Sequence, residues 1–181
     1  MENPESGKCQ LPAFQGIAVG YGEVPPQSLS RRVKLTVRRR LAPRQERRVK
    51  RYSNKVMNWF ASLLGRRARP AVVPMRTAVA ALQPGDRVQV RSREEIEGML
   101  DHWRQLKGCT FMNEMWQYCG TTQRVLKRME RFVDERDLMV KKANGIVLLE
   151  GLFCQGTAEF GRCDRSCHYF WREEWLEKVG E

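Results

Sequence analysis

Four cysteines in the last third of the chain, Cys119, Cys154, Cys163 and Cys167, follow the spacing C-x34-C-x8-C-x3-C. Four thiolates that converge make a tetrahedral cage for a soft metal centre, either zinc or an iron–sulfur cluster. Cys163 and Cys167 are four residues apart, so a helix starting there would present both thiols on one face. Cys154 precedes them across a stretch containing Gly156 and Gly161, and Cys119 comes from a separate element. Two ligands from one knuckle and two from elsewhere is a plan of structural zinc sites, although C-x2-C is the commoner knuckle spacing. Two readings compete with the cage. Free cysteines often serve as small buried hydrophobes, and six cysteines could form a disulfide framework. In the iron–sulfur version the chain would be a subunit or accessory protein of a redox or biosynthetic enzyme, and Trp116, Phe153, Phe160 and Trp171 would shield the cluster from water. Cys9 and Cys109 fall outside the set. His168, next to Cys167, is either a fourth ligand, a hydrogen-bond partner of a thiolate, or an ordinary satisfied histidine.

A second chemistry lies in the N-terminal half. Residues 1–83 hold 17 Lys/Arg against 4 Asp/Glu, whereas residues 84–181 hold 16 against 17. The net charge of +12 therefore belongs to an arm attached to a nearly neutral domain. Between Arg31 and Arg69 one acid, Glu46, stands among Arg31, Arg32, Lys34, Arg38, Arg39, Arg40, Arg44, Arg47, Arg48, Lys50, Arg51, Lys55, Arg66, Arg67 and Arg69. Such a composition seeks phosphate, and each phosphate neutralised releases counterions. Nucleic acid or a nucleoprotein assembly is the preferred partner. Residues 45–64 also fit a partner protein's groove or an anionic membrane surface, because Val56, Trp59, Phe60, Leu63 and Leu64 add an apolar side.

Catalytic machinery is hard to find. The chain has no G-x-S-x-G, no H-E-x-x-H and no phosphate-loop pattern, and its two histidines offer little general-base capacity. The acid pairs Glu94-Glu95 and Glu173-Glu174 read as solvent-facing helical surface. A closed four-thiolate site leaves no open coordination position for a metal-bound water. Binding, not catalysis, is the reading that follows.

Three segments carry a resemblance. Phe111–Gly120, Leu149–Cys154 and Cys163–Leu176 resemble the patterns F-M-x-E-M-x-Q-Y-C-G, L-E-G-L-x-C and C-x3-C-x2-F-W-x-E-x-W-L of a family of small, mostly uncharacterised bacterial proteins. The resemblance covers about residues 84–179 and implies that Cys119, Cys154, Cys163 and Cys167 are thiols shared by that family. It implies no particular activity. Members often carry a further cysteine near the position of Phe132, which this chain lacks, and the basic arm lies outside the resemblance.

The elements that must position these residues follow from periodicity. Residues 1–30 hold four prolines and four glycines with no sustained period, which reads as a flexible leader. Residues 31–69 are the basic segment. Val33, Leu35 and Val37 alternate as in a short strand, and a helical period runs from Gln45 to Leu64 with Gly65 as its stop. Residues 70–83 read as a linker. The domain spans 84–181. It opens with a Pro84-Gly85-Asp86 turn and an alternating strand at Arg87–Arg91, as many SH3-like barrels do.

Ser92 and Glu95 form a capping box for a helix whose apolar face is Ile96, Met99, Leu100 and Trp103, ending at Gly108. A helical turn is expected at Phe111–Trp116, a strand from residue 122 and another at Ile146–Leu149 after an Asn144-Gly145 hairpin signal. Phe170, Trp171, Trp175, Leu176 and Val179 read as the face of a terminal helix. The expected fold is thus α+β: a small SH3-like barrel with a terminal helix and a four-cysteine metal site. No run of 18 apolar residues exists, and Met1–Lys8 lack a basic stretch followed by an apolar one, so a cytoplasmic location is expected.

Overall fold

The computed structural model describes residues 18–19, 26, 28–64, 81–158 and 160–180. Two helices form the arm, α1 (Leu29–Arg40) and α2 (Pro43–Leu63). The domain follows as β1 (Arg87–Val90), α3 (Arg93–Met99), β2 (Gln105–Leu106), β3 (Cys109–Thr110) and a 3-10 turn at Asn113–Tyr118. It continues with β4 (Thr122–Arg128), β5 (Arg131–Asp134), β6 (Met139–Lys142), β7 (Ile146–Leu149), β8 (Phe153–Thr157) and β9 (Gly161–His168). The chain then closes with β10 (Trp171–Arg172), a second 3-10 turn at Glu173–Trp175, and β11 (Leu176–Lys178). The fold is α+β, and all of its strand pairings are antiparallel.

Five strands form one sheet in the order β10-β7-β4-β1-β11, and the pairs β2–β3, β5–β6 and β8–β9 are separate hairpins. β10 and β11 are the sheet's edges; no strand pairing joins them among the described residues. One face of the sheet carries the core. Val88 and Val90 are fully buried while Arg87 and Gln89 are exposed, which is the alternation read from the sequence. Val125, Val147, Leu149, Trp171, Trp175 and Leu176 continue that face. Phe111 meets Trp175 and Trp171 edge-on, with ring centroids 5.0 and 5.9 Å apart. The packed domain reaches back to Leu82, which is fully buried and whose N–H donates to Glu173 Oε1 at 3.2 Å.

Local sequence explains most elements. Ser92 Oγ accepts from the Glu95 N–H at 3.2 Å while Glu95 accepts from the Ser92 N–H at 2.9 Å, closing the expected capping box. α3 is shorter than expected and ends at Met99, and Trp103 lies in the loop beyond it. The expected strand over Val33–Val37 is helix α1, because Leu29, Val33 and Val37 also recur every fourth residue and, among the described residues, no strand pairs with this segment.

The expected terminal helix is replaced by β10, a 3-10 turn and β11, held by pairing of β10 with β7 and of β11 with β1. The chain bends at Gly145, but Asn144-Gly145 does not join a hairpin, since β6 pairs with β5 and β7 with β4 and β10. Among the described residues, no helix is long and apolar enough to cross a membrane.

Helix α2, about 31 Å long at 1.5 Å per residue, lies against the domain through its polar side. Asn54 Nδ2 donates to Asp101 at 2.9 Å, His102 Nε2 is 2.8 Å from Asn58 Oδ1, and Trp103 Nε1 donates to Ser53 Oγ at 3.0 Å. Glu46 pairs with Arg136 at 3.0 Å, and the Lys50 ammonium lies 5.9 Å from the Trp103 ring centroid. The apolar stripe points elsewhere: Val49, Tyr52, Trp59, Phe60, Leu63 and Leu64 are each more than half exposed.

Candidate functional site

Three of the four predicted thiol ligands sit on the β8–β9 hairpin. Cys154 lies directly opposite Cys167 in the ladder. Cys163 begins a four-residue stretch, Cys163 to Ser166, that faces the single residue Gln155 between the Cys154–Cys167 and Gly156–Arg162 pairs. The C-x3-C spacing thus belongs to a bulge in a strand, where a helix start was expected. Cys119 follows the first 3-10 turn, and the charged groups around it are Arg93, Glu94 and Glu97 of α3. All five described cysteines are free thiols, and Cys9 lies outside the described residues. Among the described residues no group of three or more His, Cys, Asp or Glu side chains is placed to hold a metal ion. His168 packs its ring on Phe153 at 4.3 Å, and its buried Nδ1 has no hydrogen-bond partner. Cys109 is half-buried against the core, and loss of solvation pushes its thiol up to about 11; it donates weakly to the Phe170 carbonyl at 3.6 Å.

A cavity of about 480 Å³ opens where α2 meets the domain. Its walls carry Arg47 and Lys50 from α2, Lys107 from the β2–β3 turn, Arg136, Lys141 and Lys142 from the β5–β6 hairpin, and Arg172 from β10. Glu46 and Asp134 are the acids in the lining, and Phe132 and Phe170 add aromatic surface. Ion pairs hold several of the cations in place. Lys50 meets Glu46 at 2.8 Å, Lys141 meets Asp134 at 2.6 Å and Asp137 at 2.7 Å, and Glu174 takes Lys107 and Arg172 at 2.6 Å each. Among the described residues, seven cations of the cleft stand against the four carboxylates Glu46, Asp134, Asp137 and Glu174. Lys142, exposed on β6, has no ion-pair partner among the described residues.

Sequence reasoning missed this cleft. Lys107, Phe132, Arg136, Lys141, Lys142, Phe170 and Arg172 come from segments up to 65 residues apart and show no local pattern beyond the Lys141-Lys142 pair. It also misjudged Glu173-Glu174 as solvent-facing. Glu173 pairs with Arg128 at 2.9 Å, and Glu174 is enclosed by Arg172 and Lys107.

The predicted arm residues divide into three groups. Arg32, Arg47, Arg48, Arg51 and Lys55 are exposed and Lys50 is half-buried. Arg31, Lys34, Arg38, Arg39, Arg40 and Arg44 lie on the backbone of α1 and α2. Arg66, Arg67 and Arg69 lie outside the described residues.

Two carboxylates, Asp134 in the cleft lining and Glu174 behind Lys107 and Arg172, should govern acid stability. Burial alone would raise Glu174, but hydrogen bonds from Arg172 and Lys107 outweigh it and hold its carboxyl at about 2. The Lys141 ammonium, helped by the Arg136 N–H, holds Asp134 at about 2. Both folded values lie below the ordinary 4.5 and 3.8, so their contribution is complete above that range and is lost as pH falls toward 2. Urea midpoints should therefore drop between about pH 4.5 and 2; a midpoint unchanged down to the lower limit would contradict this.

No protein-family model, curated protein or solved structure matches this chain.

Proposed function

We propose that the chain is a non-enzymatic binding module for nucleic acid, with the cleft between α2 and the β5–β6 hairpin as its central contact. The observation that carries this reading is the cleft's composition: seven Lys/Arg and two phenylalanines around about 480 Å³. Cations track a phosphate backbone, and aromatic rings give successive bases a surface to stack on. That combination suits a single strand, whose bases are free to leave the stack. The exposed cations of α2, Arg48, Arg51 and Lys55, extend the track away from the domain. The domain itself reads as an SH3-like barrel. Its strand order, with a 3-10 turn before the last strand, supports that reading.

The test is fluorescence anisotropy of a labelled single-stranded oligonucleotide across a salt series. Contact with about four phosphates gives a log–log slope near −3, so affinity falls roughly 50-fold between about 50 and 200 mM salt. Lys142→Glu should flatten that slope. Phe132→Ala should cost about 1–3 kcal/mol of binding with the slope unchanged. Binding that ignores both substitutions would sink the proposal.

A second reading is favoured by the exposed apolar stripe Val49, Tyr52, Trp59, Phe60 and Leu63 beside the basic stripe of α2. A helix so divided lies well on an anionic membrane. Flotation with anionic vesicles that survives excess oligonucleotide, and is lost in Trp59→Glu, would move that reading ahead of the first.

A further inference from the structure

The β8–β9 hairpin holds a chemistry independent of the cationic cleft. Cys154 and Cys167 are direct cross-strand partners, and both are free thiols. Directly opposed residues of an antiparallel pair share a face, with Cα atoms about 4.5–5.5 Å apart. A disulfide spans Cα separations of about 4.4–6.8 Å, a range that includes the usual spacing of a directly opposed pair. Cys163 sits at the far end of the bulge and opposes no thiol across the ladder.

The two partners differ in access. Cys167 is exposed, whereas Cys154 is half-buried against the core, with its thiol 3.6 Å from the Gly156 carbonyl. Arg165, between Cys163 and Cys167, is ion-paired to Glu135. Partial burial pushes the Cys167 thiol above its ordinary value while the Arg165 guanidinium pulls it back.

We propose that Cys154 and Cys167 are a reversible redox dithiol, closed to a cross-strand disulfide by hydrogen peroxide. The thiolate of exposed Cys167 attacks one peroxide oxygen, the O–O bond breaks and water leaves after protonation. Cys167 becomes a sulfenic acid. The Cys154 sulfur then attacks the Cys167 sulfur, the S–O bond breaks, and the Cys154 proton leaves with the oxygen as a second water. The two thiols lose two electrons and two protons in all, and one peroxide becomes two waters. The thiolate is the reacting form, so the rate rises with pH through the thiol range.

The experiment uses the full chain, reduced, freed of reductant and treated with stoichiometric hydrogen peroxide. Remaining thiols are alkylated and the protein is digested with trypsin. Cleavage after Arg162 and Arg165 puts Cys154, Cys163 and Cys167 on three separate peptides, so linkages are read without ambiguity. The expected product is a Cys154–Cys167 crosslink as the dominant species, with two fewer free thiols per chain, reversed by dithiothreitol and retained in Cys163→Ser. Three results would overturn the proposal. One is a dominant link through Cys163, Cys119 or Cys109. Another is no loss of free thiol. The third is zinc or iron bound to the chain as purified without oxygen, blocking alkylation of Cys154 and Cys167.

Discussion

Replacing Arg172 with alanine should destabilise the domain by about 3–5 kcal/mol, the range for removing one partner of a buried ion pair. Arg172 is 7% exposed, on the two-residue strand β10. Its Nε and Nη2 donate to the two Glu174 oxygens at 2.9 and 2.6 Å, a bidentate fork, and Nη1 donates to the Asn144 carbonyl at 2.9 Å. The guanidinium also explains the residue at position 145. Gly145 has φ +64, and a Cβ there would stand 3.1 Å from Arg172 Nη2. Without the arginine, Glu174 keeps only Lys107 as a side-chain partner among the described residues, and the Asn144 carbonyl loses the Arg172 N–H.

The cost is thus mostly that of an enclosed carboxylate left half-paired. A shift of this size lowers the melting temperature by roughly 15–30 °C in a domain of about 100 residues. The double substitution Arg172→Met with Glu174→Leu should recover much of the loss, because it removes the unpaired charge as well as the pair. Chemical unfolding of the three variants measures both claims. A loss under about 1 kcal/mol in Arg172→Ala would show that water, not the fork, satisfies Glu174.

This network also shows where sequence reasoning stops. Arg172, Glu173 and Glu174 stand in the run Phe170–Val179, whose apolar spacing is compatible with a helix, and two adjacent acids look like its wet side. What decides the outcome is β11 pairing with β1, partners nearly 90 residues apart, and no local window contains that information. Where the deciding contacts are local, the reading succeeds. The Ser92–Glu95 box starts α3 and the alternation at Arg87–Val90 makes β1. The β-branched start of Ile146–Leu149 makes β7, and the period of residues 45–64 makes α2. α1 failed for a different reason: Val33, Leu35 and Val37 fit two periods, and Arg and Lys are good helix formers.

For the thiols, the C-x3-C spacing was read as a helix-start knuckle, whereas Cys163 and Cys167 lie in strand β9 opposite the strand that carries Cys154. The spacing could not reveal a bulged hairpin, because that geometry depends on Gly156 meeting β9. The cleft was illegible for the same reason as the ion network: its cations belong to five different elements or turns.

Gly156→Ala should open the outer end of that hairpin. Gly156 has φ +114, and a Cβ there would lie 2.1 Å from the Gly161 carbonyl oxygen, 2.8 Å from the Cys163 nitrogen and 2.9 Å from Arg162 Cα. All three are backbone atoms, so no side chain can swing aside to make room. The pairs Gly156–Arg162 and Thr157–Gly161 must separate. The inner end is anchored differently. Leu152 and Tyr169 are buried in the core, the Tyr169 N–H donates to the Leu152 carbonyl at 3.3 Å, and Phe153 stacks on His168. Opening therefore stops short of the core, and the penalty of the substitution is limited to the free energy of that local opening. The expected signature is a local opening with a small global cost. Exchange of the two ladder amides in the Gly156–Arg162 and Thr157–Gly161 stretch should accelerate by about 5-fold, the factor that matches a loss of about 1 kcal/mol in the unfolding free energy measured with urea. A global loss as large as that of Arg172→Ala would mean that the whole hairpin unfolds only with the sheet. Unchanged exchange at both amides would mean that β9 can retreat from the new methyl group, and the close backbone crossing at Gly156 would not be what holds the bulge.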